Sequence, residues 1–254
     1  MTAPLLDARG IRRTFGHVRA LDGADFKVMS GEIVALIGDN GAGKSTLVKI
    51  LAGADRPNEG TIFVEGRPES FSSPTDAQAA GIATVYQDLA LAADLTPSDN
   101  LFLGREVLRK GFWSRFGFLD RGEMQRRSVE QFARLGVQLK SHRVSIDSLS
   151  GGQRQSVAIA RAAMWARKLV ILDEPTAALG VVQTQRVLEL CRRIRDEGTS
   201  VVLISHNMPQ VLEVADRIQV LRLGQTVADL KAADATVDDL VREMTSGKLR
   251  EQSA

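Results

Sequence analysis

The hydrophobic residues of this chain are concentrated in short runs that are separated by polar segments containing glycine. Runs of this kind are typical of strands that are buried on both faces of a sheet, whereas apolar residues three and four positions apart predict amphipathic helices. Because the two patterns alternate, we expect an α/β fold with a mostly parallel sheet. The buried strands are predicted at Ile33–Ile37, Gly81–Gln87, Lys168–Pro175 and Thr199–His206, a hairpin at Arg217–Ala228, and helices at Leu47–Leu51, Leu149–Ala163, Val182–Glu197, Pro209–Asp216 and Val237–Met244.

The remaining strand signals predict an antiparallel subdomain at the edge of this core. Leu5–Arg9 and Ala24–Val28 each carry the residues of a short strand, and the segment between them is rich in turn residues, including Asp22–Gly23. Glu59–Gly66 is predicted to be another edge strand between turns. We expect these strands to form an antiparallel edge sheet beside the parallel one.

A long charged segment interrupts the alternation of strands and helices. From Asp88 to Ser148 the residues favour helices, which predicts a helical subdomain inserted at about residues 88–165 into a single domain spanning residues 1–254. Within it, Arg109–Phe118 mixes basic with aromatic residues, as surfaces that contact nucleic acid or lipid headgroups do. A loop packed on its own subdomain or on a protein partner explains the same residues more simply.

The composition agrees with a soluble globular protein and gives no sign of nucleic-acid binding. The hydrophobic fraction of 44% is enough for a sizeable core, and 33 basic residues nearly balance 31 acidic ones. Cys191 is the only cysteine, which excludes a disulfide within the chain and predicts a buried apolar position in a reducing compartment. No apolar run approaches the roughly 18 residues of a membrane span and no signal peptide is apparent, so we expect any membrane contact to go through a partner.

The segment Gly38–Thr46 carries the clearest chemical signal. It reads G-D-N-G-A-G-K-S-T and lies between a predicted strand and a predicted helix. Its glycines allow a tight turn that aims backbone N–H groups and a helix N-terminus at an anion, Lys44 reaches the β- and γ-phosphates, and the Ser45 hydroxyl can ligate Mg²⁺. The alternative is a chance match in a strand-to-helix turn, and the flanking strand and helix count against it. The segment predicts a site for a nucleoside triphosphate.

Polar residues follow the three other predicted buried strands. Gln87 follows the first, Asp173 and Glu174 end the second, and His206 follows the third. Parallel strands place their carboxyl ends at one edge of a sheet, where ligands bind. A buried carboxylate is costly without a compensating cation, so Asp173 is interpreted as a Mg²⁺-side acid and Glu174 as a group that can polarise a water molecule. Taken singly, Gln87 is more simply a surface residue and His206 a structural one.

Two further positions have both a structural and a functional interpretation. Leu149–Gln153 opens a helix with Ser150 as its N-cap, and the two glycines after Ser150 leave the helix end bare enough for an anion to approach. A plain capped helix is the simpler alternative. Phe15 could stack on an adenine ring, but an aromatic residue beside strands is more often part of a core.

In this order and spacing the motifs resemble the ATP-binding subunit of an ABC transporter over almost the whole chain. The resemblance implies an ATPase that uses Mg²⁺, with Glu174 as general base, His206 as the γ-phosphate switch and Gln87 as a sensor of Mg²⁺ and the membrane partner. It also implies that the L-S-G-G-Q signature completes the ATP site of the opposite subunit. The implied residues are Phe15, Gly38, Asn40, Gly41, Gly43, Lys44, Ser45 and Thr46 for ATP; Ser45, Gln87 and Asp173 for Mg²⁺; and Ser150, Gly151, Gly152 and Gln153 for the signature.

The exact residues within and around these motifs are similar to those of bacterial importers of monosaccharides such as ribose, xylose or fructose. This similarity implies a subunit on the cytoplasmic face of the cell membrane that powers sugar import through separate permease subunits, with an extracytoplasmic sugar-binding protein as an indirect partner. The segments that carry it are Gly38–Thr46, Val85–Leu91, Asn100–Glu106, Pro175–Gly180 and Ile204–Met208.

Two departures from the family pattern bear on assembly. Many members of this group carry two cassettes in one polypeptide, whereas this chain carries one, which implies a homodimer, with a sister subunit as the other option. Gly180 stands where the wider family often has an aspartate that contacts the other subunit. The alternative functions are the ATPase of an amino-acid importer or of an exporter, and a regulatory cassette protein without a transporter, for which no coiled coil or basic extension is present.

Overall fold

The structure is a computed structural model and describes residues 3–111, 116–139 and 141–246. The predicted buried strands and amphipathic helices are present, with ends shifted by a few residues. The strands are β1 (Leu6–Phe15), β2 (Val18–Val28), β3 (Ile33–Ile37), β4 (Glu59–Val64), β5 (Arg67–Glu69), β6 (Ile82–Val85), β7 (Leu169–Asp173), β8 (Ser200–Ile204), β9 (Arg217–Arg222) and β10 (Gln225–Lys231). The helices are α1 (Lys44–Leu51), α2 (Pro74–Ala79), α3 (Pro97–Phe102), α4 (Arg121–Arg134), α5 (Gly151–Trp165), α6 (Val181–Asp196), α7 (Met208–Val214) and α8 (Val237–Ser246).

A six-stranded sheet forms the centre of the fold, in the order β10-β9-β3-β8-β7-β6. Its neighbouring strands are parallel except for β10, which pairs antiparallel with β9. Every residue of β3 and β8 is buried, as expected for strands covered on both faces. The predicted α/β fold with a mostly parallel sheet is confirmed, and the carboxyl ends of β3, β6, β7 and β8 lie at one edge of this sheet.

Alternate residues of β3 enter different hydrophobic cores. Val34 and Leu36 join a core shared with α1 and the second sheet. Ile33 joins the core under α5 and α6, whereas Ala35 and Ile37 pack with α7 and α8. Fully burying one such aliphatic side chain contributes roughly 1.5–3 kcal/mol. The strand that leads into Gly38 is therefore fixed from several sides.

The second sheet is antiparallel, as predicted, in the order β2-β1-β4-β5, but two predictions about its strands are wrong. Asp22–Gly23 lies inside β2 and not in a turn, because Gly23 is the extra residue of a β-bulge opposite Ile11 and Arg12, with φ +89°. Glu59–Gly66 does not provide the edge strand, since β4 pairs with both β1 and the short β5. Glycine marks bulges as well as turns, so the pattern alone made the first strands too short.

The segment between β6 and α5 contains α3 and α4, which pack against each other and against α5. The insertion at about residues 88–165 and the single domain of residues 1–254 stay predictions. Of Arg109–Phe118, residues 112–115 lie outside the described residues. On its flanks, Leu108 and Leu119 form an antiparallel bridge, and the Arg109 N–H donates to the Phe118 carbonyl at 2.9 Å.

Two sequence expectations concern burial and the membrane. Cys191 is completely buried in α6, and burial raises the pKa of its thiol to about 12, as fits the predicted apolar position. Among the described residues, no helix combines the length and the apolar character needed to span a membrane.

Candidate functional site

The segment Gly38–Thr46 connects β3 to α1 and is wedged between two other strands. A Cβ atom at Gly43 would lie 2.4 Å from the Ala20 carbonyl oxygen in β2, and one at Gly38 would lie 2.2 Å from the Leu221 carbonyl oxygen in β9. Gly43 also has φ +104° as the N-cap of α1. Only glycine fits these two positions, because a side chain would collide with backbone.

The Lys44 side chain lies inside this loop. Its ammonium donates to the Gly38 carbonyl at 2.6 Å and to the Asp39 carbonyl at 3.0 Å, and the residue is only 8% exposed. Burial lowers the pKa of Lys44, while the negative charges of Glu174, Asp39 and Asp173 oppose that shift. The loop thus concentrates positive charge at its centre, which suits a polyphosphate.

The first turn of α1 leaves backbone donors open around this charge. No side chain caps the helix at Gly43, so its first N–H groups are available to an anion. Asn40, Gly41 and Ser45 are exposed in the loop, and Thr46 is half-buried. The structure therefore brings every predicted residue of the phosphate loop together around one helix end.

Two consecutive carboxylates stand at the end of β7, beside this loop. Asp173 is the last residue of the strand and pairs with Ile204 of β8. The Glu174 N–H donates to the Ile204 carbonyl at 3.0 Å, and Glu174 itself has φ +49°. Burial raises the pKa of Asp173, the charge of Glu174 raises it further, and Lys44 and Lys49 oppose the shift. A second cation at Asp173 would relieve this unfavourable burial.

His206 follows the neighbouring strand β8 and meets one of these carboxylates. Its Nδ1 atom lies 3.3 Å from Glu174 Oε1. The His206 side chain is 68% exposed and that of Glu174 is 27% exposed, so the imidazole stands at the open side of the pair. A carboxylate and an imidazole are thus held together at the mouth of the site.

Gln87 lies two residues beyond the end of β6 and is exposed, with the half-buried Tyr86 before it. The Tyr86 hydroxyl is buried without a hydrogen-bond partner among the described residues. Burial raises the pKa of Tyr86, and the charge of Asp173 adds to the shift. Val85, the last residue of β6, pairs with Leu172, the residue before Asp173, so the end of β6 lies beside the same carboxylate and Gln87 is grouped with the site.

Phe15 is not a core residue. It ends β1, pairs with Val18 across the hairpin, and is 48% exposed. The guanidinium of Arg13 lies 4.6 Å from the centre of its ring. An exposed ring at a hairpin end fits a binding surface better than the core interpretation. Arg13 was missed in the sequence, although its position two residues before Phe15 on one strand places both side chains on the same face.

The signature residues begin α5, where Ser150 is the N-cap as predicted. The Gln153 N–H donates to Ser150 Oγ at 3.4 Å, and the Ser150 N–H donates to Gln153 Oε1 at 3.0 Å, which completes a capping box. Gly151 lies near Leu179, and a Cβ atom at Gly152 would lie 2.7 Å from the Gln183 side chain.

A pocket of about 530 Å³ opens beside Ser150, Gly152 and Gln153. Its other described lining residues come from α5, from α6 and from the loop after α4, and none of them belongs to the phosphate loop. The structure thus groups the signature with α6 and not with Lys44.

The possible metal ligands do not form a dense cluster. Among residues 3–111, 116–139 and 141–246, no group of three or more His, Cys, Asp or Glu residues could hold a metal ion. Mg²⁺ that is bound together with a phosphate needs only one or two carboxylates. The carboxylate of Asp173 and the exposed Ser45 and Gln87 side chains at the same sheet edge satisfy that smaller requirement.

Comparison with known proteins agrees with this geometry. A family model described as ABC transporter matches residues 21–177, more than half of the chain. The chain is 50% identical over 247 residues to the fructose import ATP-binding protein FrcA of Rhizobium meliloti, covering 96% of this chain and 95% of that protein. It is 44% identical over 242 residues to the xylose/arabinose import ATP-binding protein XylG of Sulfolobus acidocaldarius, covering 95% of this chain and 94% of that protein.

A ribose import ATP-binding protein, RbsA of Yersinia pestis bv. Antiqua, is 46% identical over 246 residues. That match covers 97% of this chain but 47% of the relative, so the chain spans about half the length of this protein.

Solved structures show the same architecture. A nucleotide-free ATP-binding cassette from an ABC transporter matches with a TM-score of 0.77 and 26% identity, covering 90% of this chain and 92% of that one. The ADP conformation of an ATP-binding cassette of an ABC transporter matches with a TM-score of 0.80 and 24% identity, over 96% of both chains, and supports the fold alone. The chain therefore belongs to the ABC transporter family, as an ATP-binding cassette that hydrolyses ATP.

Proposed function

We propose that this chain is the ATPase subunit that powers import of a monosaccharide through a separate membrane permease, at the cytoplasmic face of the cell membrane. The observation that carries the proposal is the similarity to fructose and xylose/arabinose import ATP-binding proteins, which extends over almost the whole length of this chain and of each relative. The complete phosphate loop and the Asp173–Glu174 pair supply the chemistry that such a subunit needs.

Each residue of the site has a role in this proposal. Lys44 neutralises phosphate charge from within the loop, and Glu174 directs a water molecule toward the γ-phosphate. His206 contacts the γ-phosphate, and the 3.3 Å contact between its Nδ1 and Glu174 Oε1 couples its position to that of Glu174. Mg²⁺ would supply further charge neutralisation on the phosphates, and Ser45, Gln87 and Asp173 are the residues that would hold it.

The rest of the nucleotide is held by the same surface. The base stacks on the exposed ring of Phe15, and the phosphates accept hydrogen bonds from the loop and the first turn of α1. The loop residues that surround the phosphates are Gly38, Asn40, Gly41, Gly43, Lys44, Ser45 and Thr46.

The hydrolysis site is composite in this proposal. Ser150 to Gln153 of one subunit meet the nucleotide on the phosphate loop of the other, in a symmetric homodimer with two sites. The described pocket beside the signature contains no phosphate-loop residue, as a site completed between two subunits requires. Val181 and Val182, next to Gly180, are 82% and 61% exposed and offer apolar surface near that signature.

The permease docks in a groove between the end of β6, α5 and the segment after α3. This cavity of about 330 Å³ is lined by Thr84, Leu103, Arg105, Trp165 and other residues of those elements. Leu103 is 49% exposed at its rim, and the Arg105 guanidinium stacks 4.8 Å from the Trp165 ring centre. The groove thus combines an apolar floor with cationic edges, which suits a short amphipathic segment of a protein partner.

A single arginine connects the docking groove to the ATP site. Arg161, which lines the groove, donates to the Leu89 carbonyl at 2.9 Å and to the Ala90 carbonyl at 2.8 Å. Those carbonyls lie two and three residues after Gln87 in the chain, and Arg161 belongs to α5, the helix that begins at the signature. Movement of a bound permease segment is therefore transmitted to both Gln87 and Ser150.

Purification from native membranes tests this proposal. The chain, isolated with the membrane proteins that accompany it and reconstituted in vesicles, should hydrolyse ATP faster when a sugar-loaded extracytoplasmic binding protein is added. Pentoses, hexoses and amino acids should be compared in the same vesicles, with Glu174→Gln as the inactive control. Stimulation by amino acids alone would contradict the sugar assignment, and recovery of the chain without any membrane component would contradict its role in a transporter.

A further inference from the structure

The ring of Phe15 has an arginine stacked on one of its two faces. The Arg13 guanidinium lies 4.6 Å from the ring centre, while Phe15 remains 48% exposed. A ring that is covered on one face and still half exposed presents its other face to solvent. A planar ligand can therefore complete a stack of three layers: guanidinium, phenyl ring and ligand.

Arg13 is itself held in place by a bidentate ion pair. Its Nε donates to Asp55 Oδ2 at 3.0 Å and its Nη2 donates to Asp55 Oδ1 at 2.7 Å, with side-chain exposures of 23% and 18%. Paired bonds of this kind fix the plane of the guanidinium. The Asp55 N–H donates to the Lys49 carbonyl at 3.1 Å, so the pair is attached to the end of α1, the helix that starts at the phosphate loop.

The backbone on both sides of Arg13 is tied to the same loop after α1. The Asn58 N–H donates to the Arg12 carbonyl at 2.8 Å, and the Thr14 N–H donates to Asn58 Oδ1 at 2.8 Å. The backbone that carries Arg13 and Phe15 is therefore fixed relative to the loop after α1.

The Phe15 ring lies close enough to the phosphate loop for one nucleotide to contact both. Phe15 pairs with Val18, and Val18 is two residues from Ala20, whose carbonyl oxygen would lie 2.4 Å from a Cβ atom on Gly43. Two residues of strand span roughly 7 Å. A nucleotide bridges a separation of this order between its phosphates and its base.

We propose that Arg13, held by Asp55, is a positioning residue that prepares Phe15 to stack with the base of a nucleoside triphosphate. The inference rests on the proposed function, because it requires Phe15 to be the base platform. Fixing the ring before binding reduces the conformational entropy lost when the base arrives. The cation also draws π-electron density toward its own side of the ring, which reduces repulsion between the opposite face and the base. Since every base has a π-face, the effect is independent of base identity.

The test compares two arginines of β1 that each stack on a phenylalanine ring and pair with an aspartate. Arg9 stacks 4.7 Å from the Phe63 ring centre and donates two hydrogen bonds to Asp7, but Phe63 belongs to none of the site motifs. Arg13→Ala should raise the Kd for ATP and for GTP about two- to fivefold, the range of a partly exposed cation–π contact, without changing kcat at saturation. The Kd for inorganic tripolyphosphate should not change, and Arg9→Ala should change none of these values.

Two further variants make the outcome decisive. Arg13→Lys keeps the charge but loses the planar fork, so it should show the same loss of nucleotide affinity in a protein of nearly native packing. Adding Arg13→Ala to Phe15→Ala should weaken ATP binding no further than Phe15→Ala alone, because the arginine acts through the ring. The inference would be overturned if Arg13→Ala weakened tripolyphosphate binding as much as ATP binding. It would also be overturned if Arg13→Ala lowered ATP affinity by the same factor in the Phe15→Ala background as in the wild type. Unchanged ATP binding by Phe15→Ala would overturn it too, while loss of tripolyphosphate binding in Lys44→Ala would still support the phosphate loop.

Discussion

His206 Nδ1 lies 3.3 Å from Glu174 Oε1, although the two residues are 32 positions apart in the chain. The two residues meet because β7 and β8 are parallel neighbours that end at the same edge of the sheet. The Glu174 N–H, bonded to the Ile204 carbonyl, fixes the backbone on one side of this contact. Glu174 and His206 follow β7 and β8, whereas Lys44 lies in the loop after β3, so substitutions can address the carboxylate–imidazole pair and the phosphate loop one at a time.

Glu174→Gln should bind ATP with nearly native affinity and hydrolyse it about 10²- to 10⁴-fold more slowly, because the amide is similar in shape but cannot accept a proton. Lys44→Ala should instead lose tight binding, since the loop then lacks its central positive charge. Equilibrium binding of a fluorescent ATP analogue and steady-state phosphate release measure the two properties. An equal loss of ATP affinity in both variants would show that Glu174 is a nucleotide ligand and not the base.

Asp173→Asn should stabilise the free protein at neutral pH while abolishing Mg²⁺-dependent hydrolysis. The pKa of Asp173 is raised in the folded state, mainly by burial, so the folded protein binds more protons than the unfolded chain between the two pKa values. This contribution therefore lowers the free energy of unfolding as pH rises through that window, and it is absent below pH 3.8, the ordinary pKa of an aspartate. Asp173→Asn should not show this loss of stability with rising pH.

Thermal unfolding of wild type and Asp173→Asn, measured from pH 3.5 to 8 in the presence of EDTA, checks this prediction. Asp94→Asn is a suitable control, since Asp94 is exposed and lies away from the strand ends. The difference in Tm between wild type and Asp173→Asn should grow with pH. A difference that shrinks as pH rises would mean that the Asp173 carboxylate is stabilised in the folded protein.

Sequence patterns were sufficient for the parts of this molecule in which local chemistry decides the structure. Buried apolar runs gave β3, β7 and β8, and the glycine spacing located the loop around Lys44. The bulge at Gly23 was missed because it depends on the register of β1 against β2, which no local pattern contains. Arg13 was missed because the first predicted strand ended at Arg9, so Arg13 and Phe15 were not placed on one face of a strand. Its pairing with Asp55 joins residues 42 positions apart, which no local pattern contains.

Ser150→Arg should abolish hydrolysis and leave the nucleotide affinity of the monomer nearly unchanged. In the proposed composite site the arginine would block the helix end that meets the other subunit's nucleotide, whereas Lys44, which would bind the monomer's own ATP, is unchanged. Ser148→Arg, at an exposed position two residues earlier, is the matched control for the added side chain.

Mixing Ser150→Arg with Lys44→Ala subunits tests the composite site directly. Each heterodimer has one intact site, formed by Lys44 from one chain and Ser150 from the other. Random exchange should therefore restore about a quarter of the wild-type activity if the two sites are independent. Phosphate release after subunit exchange gives the measurement, and two affinity tags verify that heterodimers formed. Activity that stays at the level of either variant alone, in verified heterodimers, would refute completion of the site in trans.

Arg161→Ala should uncouple the permease from hydrolysis without disabling the isolated subunit. Its two hydrogen bonds hold the carbonyls of Leu89 and Ala90 beside α5, so removing them frees the loop after Gln87 from the helix that begins at Ser150. The phosphate loop and Glu174 are untouched, which is why basal ATPase activity of the purified chain should persist. Stimulation by the assembled transporter should fall about two- to thirtyfold, the range expected when one connecting contact is lost.

Arg167→Ala, just beyond the other end of α5 and exposed, should keep full stimulation. If Arg161→Ala reduced basal and stimulated rates by the same factor, Arg161 would support the fold of the site and not the coupling.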